Sequence, residues 1–289
     1  MMAIASFFAH GLARADDGEF DSNGVRIHYV VAGQGEPIIL IHGWMSDASM
    51  WGQDSHGNAK PDASGVPGFE VIAMDCRGHG KSDKPHDKNA YGAEMAYDVV
   101  RLMDHLKIPR AHLVGYSMGA FIAAKVAATI PDRVLSIVYG GQAPLIQGEP
   151  SGSTEVDVFA KAVEDGKGLG PYLMYVMPAD RPKLSLSQAN ALANYLYAGK
   201  DVQAFAAAGV SFDRLEVSLS MLRKCAAPSL FIYGSKESNS LKMRVTNLCK
   251  VFHRGQVRVV EGGDHITTVG KAEFGLSIME FLKSHKSGD

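Results

Sequence analysis

Apolar residues come in short runs along most of this chain, and amphipathic segments separate the runs. Continuous apolar runs of this length, bounded by polar or glycine-rich turns, are typical of strands buried on both faces of a sheet. They lie at residues 37–41, 71–74, 112–114, 134–139, 230–233 and 257–260. An earlier segment, 25–32, partly alternates apolar with polar residues, which predicts a half-exposed strand.

Helical periodicity fills the intervals between these strands, at 94–106, 120–128, 241–251 and 274–282. Strands that alternate with helices predict an α/β fold with a mostly parallel central sheet covered by helices on both faces. Gly33 and Gly35 lack the third glycine and the following helix of a dinucleotide-binding motif. We therefore interpret this glycine pair as a hairpin turn.

The stretch from 147 to 222 interrupts the alternation, because it contains helical segments at 156–163, 189–197 and 202–208 but no convincing buried strand. It predicts a helical insertion. We divide the chain into four parts on this basis, namely an N-terminal segment 1–19, the first part of a core 20–146, a helical cap or lid 147–222, and the second part of the core 223–289.

Composition and charge narrow the classes of function. Apolar residues make up 46% of the chain and charged residues 21%, as in soluble globular proteins. The formal net charge is −2 with both signs interspersed, so nothing in the sequence attracts a nucleic acid. No run approaches the roughly 18 apolar residues that a transmembrane helix needs. These features predict no nucleic-acid partner and no transmembrane segment, and they leave the oligomeric state open.

The N-terminus fits two interpretations. Residues 1–9 are largely apolar and are followed by Ala13, Arg14 and Ala15, which resemble a signal-peptidase site with cleavage after Ala15. However, a basic start is missing and His10 interrupts the apolar run. A helix lying on the domain fits equally well, so both a cytoplasmic and an exported location remain open.

The three cysteines, Cys76, Cys225 and Cys249, have spacings that match no zinc or redox motif. An odd number allows at most one disulfide within the chain, and buried structural thiols are the better interpretation. Because no cysteine and histidine cluster has the spacing of metal ligands, we predict neither a metal nor an organic cofactor.

The segment Gly115-Tyr116-Ser117-Met118-Gly119 matches the pattern G-x-S-x-G of a nucleophile elbow. This motif alone is weak evidence in a chain with 31 glycines. Its context strengthens it, since it follows the strand at 112–114 and precedes an alanine-rich helical segment. That order of strand, turn and helix exposes the serine hydroxyl above the sheet.

Two further segments complete a family resemblance. His42-Gly43-Trp44 follows the strand at 37–41, and the run from Asp75 to Asp83 follows the strand at 71–74. Together with the elbow they resemble the α/β-hydrolase superfamily, over residues 20–142 and again over 227–281. The resemblance implies an oxyanion hole formed by the backbone N–H groups of Met118 and Trp44. It also implies that His42, Arg77, His79 and Asp83 hold loops rather than catalyse.

The resemblance further implies a catalytic histidine and acid. His265 follows the last predicted strand and precedes the last helix, where the family keeps its general base. Glu237 follows the strand at 230–233, where the family usually has an aspartate, and triads with either acid occur on this fold. Asp264 is the nearest competitor, but it directly precedes His265 and its side chain should diverge from the imidazole. Gln142, after the preceding strand, has no charge to offer.

The predicted function is a serine hydrolase that acts on carboxylic esters through Ser117, His265 and Glu237 and an acyl-enzyme. A carboxylate nucleophile, which epoxide hydrolases need, is missing. Small to medium apolar esters suit the apolar side chains of the predicted cap, namely Tyr172, Met174, Tyr175, Met177, Tyr195, Tyr197, Phe205 and Phe212. Thioesterase, lactonase, perhydrolase, acyltransferase and carbon–carbon hydrolase chemistry stay open, as does a ligand-binding protein without catalysis.

Overall fold

A computed structural model describes residues 16–61, 67–149, 154–177, 183–252 and 254–287. The apolar N-terminal residues and the proposed cleavage position after Ala15 lie outside these ranges. The described chain contains eight strands, which are β1 (Asp16–Asp21), β2 (Arg26–Gly33), β3 (Glu36–Ile41), β4 (Phe69–Met74), β5 (Ala111–Tyr116), β6 (Val134–Gly140), β7 (Ser229–Gly234) and β8 (Gly255–Val260).

The eight strands form one sheet in the order β1-β2-β4-β3-β5-β6-β7-β8. All neighbouring pairs from β4 to β8 are parallel, whereas β1 and β2 are antiparallel to their neighbours. The predicted α/β class and mostly parallel sheet are thereby confirmed. The predicted hairpin at Gly33 and Gly35 is wrong, because β4 lies between β2 and β3 and pairs with both.

Nine α-helices are described, which are α1 (Ala93–His105), α2 (Met118–Thr129), α3 (Thr154–Asp165), α4 (Gly170–Val176), α5 (Leu186–Leu196), α6 (Val202–Gly209), α7 (Leu219–Leu222), α8 (Asn239–Cys249) and α9 (Ala272–Lys283). Short 3₁₀ helices lie at Ala48–Trp51, Lys88–Ala90, Pro131–Arg133 and Phe212–Leu215. In the parts of the chain that the structure describes, no helix has both the length and the apolar character needed to cross a bilayer.

Alternate residues of the strands face two separate hydrophobic layers. In β3, Ile39 and Ile41 pack in one layer with α1, α2 and α8, whereas Ile38 and Leu40 pack in the other with α9. Burying both faces requires apolar residues at successive positions, which is why the central strands read as continuous apolar runs. The prediction of helices on both faces is confirmed.

The outer strands depart from the sequence expectations. β8 is the edge strand, and Val259 is 43% exposed there, so the expectation of burial on both faces is wrong for this strand. β2 was expected to be half-exposed, yet residues 27–30 are all buried. His28 is tolerated inside because its ring nitrogens bond to the carboxylates of Asp75 and Asp17.

Helices α3 to α6 follow β6 and precede β7, within the stretch predicted as an insertion. They enclose a third apolar cluster of their own, built around Phe159, Tyr172 and Phe205. The last part of the predicted insertion packs elsewhere, since Leu215 and Leu222 belong to the main hydrophobic core beside α2. At the other end of the chain, residues 16–19 of the predicted N-terminal segment are part of β1.

Candidate active site

Ser117 lies on the turn between β5 and α2 with φ 53° and ψ −114°, an unfavourable region for a residue with a Cβ. The two flanking glycines allow this turn. A Cβ on Gly115 would lie 2.1 Å from the carbonyl oxygen of Gly119, and a Cβ on Gly119 would lie 2.0 Å from that of Ile41. The glycines of the motif are therefore required by close backbone approaches, and the strained turn presents the serine hydroxyl above the sheet.

The loop after β3 packs against this turn. A Cβ on Gly43 would lie 3.4 Å from the Cβ of Ser117, so the loop reaches the serine at van der Waals distance. His42 holds the loop, because its Nδ1–H donates to the carbonyl of Gly43 at 2.7 Å and its Nε2 accepts from the N–H of Cys76 at 3.0 Å. Burial lowers the pKa of His42, which keeps the ring neutral. His42 therefore supports the loop, as expected.

The N–H groups of Met118 and Trp44 are the predicted oxyanion donors. Met118 is the first residue of α2, where backbone N–H groups have no acceptor within the helix and negative charge is favoured. Among the described residues, neither N–H group has a hydrogen-bond acceptor. The indole of Trp44 is fixed separately, since its Nε1–H donates to the carbonyl of Phe205 at 2.9 Å.

His265 connects the serine to a carboxylate. Its Nε2 lies 2.9 Å from Oγ of Ser117, and its Nδ1 lies 2.9 Å from Oε1 of Glu237. In this arrangement Nδ1–H donates to the carboxylate, which leaves Nε2 to accept the serine hydroxyl proton. The Glu237 side chain is only 9% exposed, whereas that of His265 is 36% exposed. The three residues thus form a continuous hydrogen-bonded chain.

The charges around His265 make its imidazole more basic. Burial is the largest influence on His265 and lowers its pKa, but the hydrogen bond and negative charge of Glu237 outweigh burial, and the pKa is raised. Glu155 and Asp264 contribute in the same direction. A raised pKa makes the imidazole a stronger proton acceptor toward the serine hydroxyl.

Backbone hydrogen bonds between the loops after β7 and β8 set the distance from Glu237 to His265. The N–H of Lys236 donates to the carbonyl of Gly263 at 2.8 Å, and the N–H of Ser235 donates to that of Val260 at 2.9 Å. Asp264 does not reach the imidazole. Its Oδ1 accepts from the N–H groups of Ile266 and Thr267, so it stabilises the turn that carries His265.

Sequence reasoning missed the role of Tyr116. Its hydroxyl donates to the carbonyl of His265 at 2.7 Å, and the centres of its ring and the imidazole are 5.6 Å apart. Burial raises the pKa of Tyr116, which keeps the hydroxyl protonated as a donor. The side chain thereby holds the histidine loop next to the serine. Its place in the elbow motif was visible in the sequence, but its partner was not.

Asp75 also has a larger role than the sequence suggested. Its carboxylate accepts from Nδ1 of His28 at 2.8 Å and from the N–H groups of Ala48 and Lys81 at 2.7 and 2.9 Å. Burial raises its pKa, but the hydrogen bonds from His28, Ala48 and Lys81 outweigh burial and lower the pKa to about 2. A carboxylate that stays ionised therefore joins three separate segments beneath the site.

The polar residues after β4 hold their loop, as expected. Arg77 makes a bidentate pair with Asp98, from Nε and Nη2 at 2.7 and 2.6 Å. Asp83 accepts from the N–H of Arg26 at 2.9 Å, and Nδ1–H of His79 donates to the carbonyl of Arg77 at 2.9 Å. These side chains therefore hold the loop and are not part of the hydrogen-bonded chain that begins at Ser117.

The other residues singled out in the sequence differ in burial and bonding. Of the apolar side chains suggested as pocket lining, Tyr172 and Phe205 are buried in the cluster of helices α3 to α6, whereas Met174, Tyr175 and Tyr195 are exposed. All three cysteines are free thiols. Within the described ranges, no group of three or more His, Cys, Asp or Glu side chains is arranged to hold a metal ion.

Comparison with known proteins identifies the family of the fold. Residues 36–270 match the family model described as the alpha/beta hydrolase fold. The match covers most of the chain and includes Ser117, Glu237 and His265. The protein belongs to the α/β hydrolase fold family.

Individual relatives differ in their chemistry. The chain is 30% identical over 183 residues to an epoxide hydrolase of Caballeronia sordidicola, which covers 62% of this chain and 52% of that protein. It is 38% identical over 122 residues to a 2-hydroxy-6-oxononadienedioate/2-hydroxy-6-oxononatrienedioate hydrolase of Burkholderia vietnamiensis, which covers 42% of this chain and 41% of that protein. The matches thus span about half or less of these relatives.

Solved structures share the fold. A structure from work on carboxylesterases of Nitrososphaera gargenis superposes with a TM-score of 0.71 at 22% identity, covering 93% of this chain and 98% of that one. At this level of identity the likeness concerns the fold alone, so a choice among the activities has to come from the site itself.

Proposed function

We propose that this protein is a serine hydrolase that cleaves carboxylic esters through an acyl-enzyme. The observation that carries the proposal is the hydrogen-bonded chain from Ser117 through His265 to Glu237, with both heavy-atom distances at 2.9 Å. A neutral imidazole between a hydroxyl and a buried carboxylate is the arrangement that activates a serine. The serine also disfavours epoxide hydrolysis, which requires a carboxylate nucleophile to form its ester intermediate.

The geometry supports the following sequence of steps. His265 Nε2 takes the proton of Ser117 while Oγ attacks the ester carbonyl carbon, and Glu237 stabilises the imidazolium that forms. The N–H groups of Met118 and Trp44 bind the oxyanion. The tetrahedral intermediate collapses, and the alcohol leaves with the proton from His265. A water molecule, deprotonated by His265, then attacks the acyl carbonyl carbon, and His265 returns the proton to Oγ of Ser117 as the acid is released.

Helices α3 to α6 supply a wall for the substrate in this proposal. Their apolar cluster includes Trp44 and Met45 at its margin, so these helices pack directly on the loop that carries an oxyanion donor. We therefore propose that this segment is a cap, and that its apolar side chains favour esters of small to medium size. No cofactor takes part in the proposed reaction.

A second candidate is hydrolysis of a carbon–carbon bond, which the similarity to the Burkholderia vietnamiensis hydrolase favours. Both reactions use a serine triad on this fold, so the choice depends on which substrate groups the cap accepts.

The test compares the wild-type protein with Ser117→Ala on p-nitrophenyl esters of increasing acyl length. We expect hydrolysis by the wild type and a loss of at least about 10⁴-fold in kcat for the variant, because a triad without its nucleophile retains little activity. Labelling of Ser117 by a fluorophosphonate, read by mass spectrometry, gives a second readout. A wild-type protein that neither hydrolyses esters nor takes up the label would rule out the proposal.

A further inference from the structure

Helix α3 places a carboxylate beside the proposed oxyanion loop. Glu155, in its first turn, is solvent-exposed, and its Oε1 accepts from the hydroxyl of Tyr172 at 2.9 Å. The same hydroxyl lies 4.0 Å from Sδ of Met45, the residue that follows Trp44 in the loop after β3. Tyr172 therefore links the carboxylate to the loop that also carries a proposed oxyanion donor.

Aromatic packing fixes this link. The ring centre of Phe159, also on α3, lies 5.1 Å from that of Trp44 and 4.9 Å from that of Tyr172. Phe159 is fully buried and Tyr172 is 4% exposed, so neither ring can turn away without opening the cluster. The start of α3 thus has a defined position relative to Trp44.

The neighbouring charges leave Glu155 without a neutralising partner. The charged groups that most influence His265 are the carboxylates of Glu237, Glu155 and Asp264, and all of them raise its pKa. Among the described residues, no lysine or arginine forms an ion pair with Glu155. Lys200, which lies near the loop after β3, is already paired with Asp47 at 3.3 Å.

We propose that Glu155, oriented by Tyr172, is a specificity-determining residue that selects against esters carrying a carboxylate near the scissile carbonyl and favours those carrying an ammonium group. This inference rests on the proposed esterase function. A substrate carboxylate near the scissile carbonyl would be repelled by the negative charge of Glu155, which forms no ion pair with a described lysine or arginine. An alkylammonium group would instead be attracted by the negative charge of Glu155.

The inference also bears on the second candidate function. A dicarboxylate substrate, such as the one named for the Burkholderia vietnamiensis relative, would have to bring its negative charges close to Glu155. We therefore expect this chain to discriminate against dicarboxylates that some relatives hydrolyse.

The experiment measures kcat/KM for three p-nitrophenyl esters of equal acyl length, with a terminal methyl, carboxylate or trimethylammonium group. For the wild type we expect the trimethylammonium ester to be hydrolysed fastest and the carboxylate ester slowest, about tenfold apart at low salt. The ratio should shrink in higher salt, because exposed charges are screened. In Glu155→Gln the ratio should fall to about twofold, with kcat/KM on the neutral ester measured in parallel as the reference.

Two further variants separate charge selection from a structural effect. Glu164→Gln removes a carboxylate from the exposed end of the same helix and should leave the ratio unchanged. Tyr172→Phe keeps the ring but removes the donor, and we expect a ratio between those of the wild type and Glu155→Gln. The acidic limb of the pH profile should also move to lower pH in Glu155→Gln. The remaining groups around His265, which are Glu237, Asp264 and the hydroxyl of Tyr116, are unchanged in that variant.

Failure of the inference is distinguishable from failure of the proposed function. An active enzyme that hydrolyses all three esters equally, or a Glu155→Gln variant that keeps the wild-type ratio, would overturn the role of Glu155 and leave the esterase intact. A protein that hydrolyses none of the esters and resists fluorophosphonate labelling would remove the basis of both.

Discussion

The loops at the carboxyl ends of the strands and the helices between β6 and β7 are held by different kinds of contact. The loops are joined by hydrogen bonds to buried polar groups, such as the carboxylate of Asp75 with its three donors. Helices α3 to α6 are held mainly by aromatic and aliphatic packing around Phe159. Directional bonds fix atoms to a fraction of an ångström, whereas apolar packing tolerates exchange of one side chain for another.

The solvent exposure of side chains also differs between helices α4 and α5 and the central sheet. Several large apolar side chains of α4 and α5 are open to solvent, including Tyr175 at 50% and Leu186 at 53%, whereas β5 is buried throughout. The proposed reaction geometry therefore depends on hydrogen-bonded loops at the carboxyl end of the sheet, whereas the proposed substrate selection depends on helices that keep several side chains exposed.

The largest expected effect is on the triad itself. Glu237→Gln should lower kcat on a neutral ester by about 10⁴-fold, because the amide no longer stabilises the imidazolium and can favour the wrong tautomer. Loss of the negative charge should also lower the pKa of His265, whose protonated form is inactive. The acidic limb of the pH–rate profile should therefore move to lower pH.

A matched control for this substitution is Asp264→Asn, which keeps an oxygen that can accept from Ile266 and Thr267. We expect it to lose less than about tenfold in kcat, because Asp264 stabilises a turn rather than the imidazole. Equal losses in the two variants would contradict the assignment of Glu237 as the triad acid.

The next largest effect tests the rigidity of the elbow. Gly119→Ala should lower the free energy of unfolding by about 3 kcal/mol or more, since its Cβ would lie 2.0 Å from the carbonyl oxygen of Ile41. Urea unfolding measures the change. Gly275→Ala on α9 is the control, because a Cβ there meets nothing within 4 Å and should stabilise the helix by about 0.5 kcal/mol. If the free energy of unfolding of Gly119→Ala equals that of the wild type, the backbone of the elbow can shift to accommodate the added Cβ.

A smaller and more local effect is expected in helices α3 to α6, the proposed cap. Phe159→Ala should weaken the packing of α3 to α6 by about 3 kcal/mol, which corresponds to roughly 100-fold easier opening. Hydrogen exchange should accelerate in these helices and stay slow in β5 and α2. Leu186→Ala, at an exposed position of α5, should change neither region. Equal acceleration in β5 would mean that the two regions open as one unit.

The smallest effect is expected at the exposed surface of α5, in the proposed cap. Tyr195 is 79% exposed, so Tyr195→Ser should change the free energy of unfolding by less than about 0.5 kcal/mol. Thermal unfolding of both proteins, together with kcat/KM on a neutral ester, checks this. A larger loss of either quantity would show that the tyrosine is covered or contacts substrate.

The amino-acid sequence alone predicted the α/β class, the alternation of strands and helices, and the position of the serine turn. These features depend on local patterns, namely the two-residue and 3.6-residue periods of buried positions and the glycines that a sharp turn requires. It also selected His265 as the candidate general base and Glu237 as the candidate acid, because each follows a predicted strand at the place where the family keeps these residues. The exact strand ends and the burial of β2 could not be predicted from the sequence, because contacts with neighbouring strands determine them.

Only the tertiary structure decided which distant residues meet. Ser117 and His265 are 148 residues apart in the chain, and no local pattern sets the distance between their side chains. The insertion of β4 between β2 and β3, the bond from Tyr116 to the histidine loop and the position of Glu155 beside Tyr172 have the same origin. Each depends on long-range packing and hydrogen bonding, whose energy is gained only when segments remote in sequence come together.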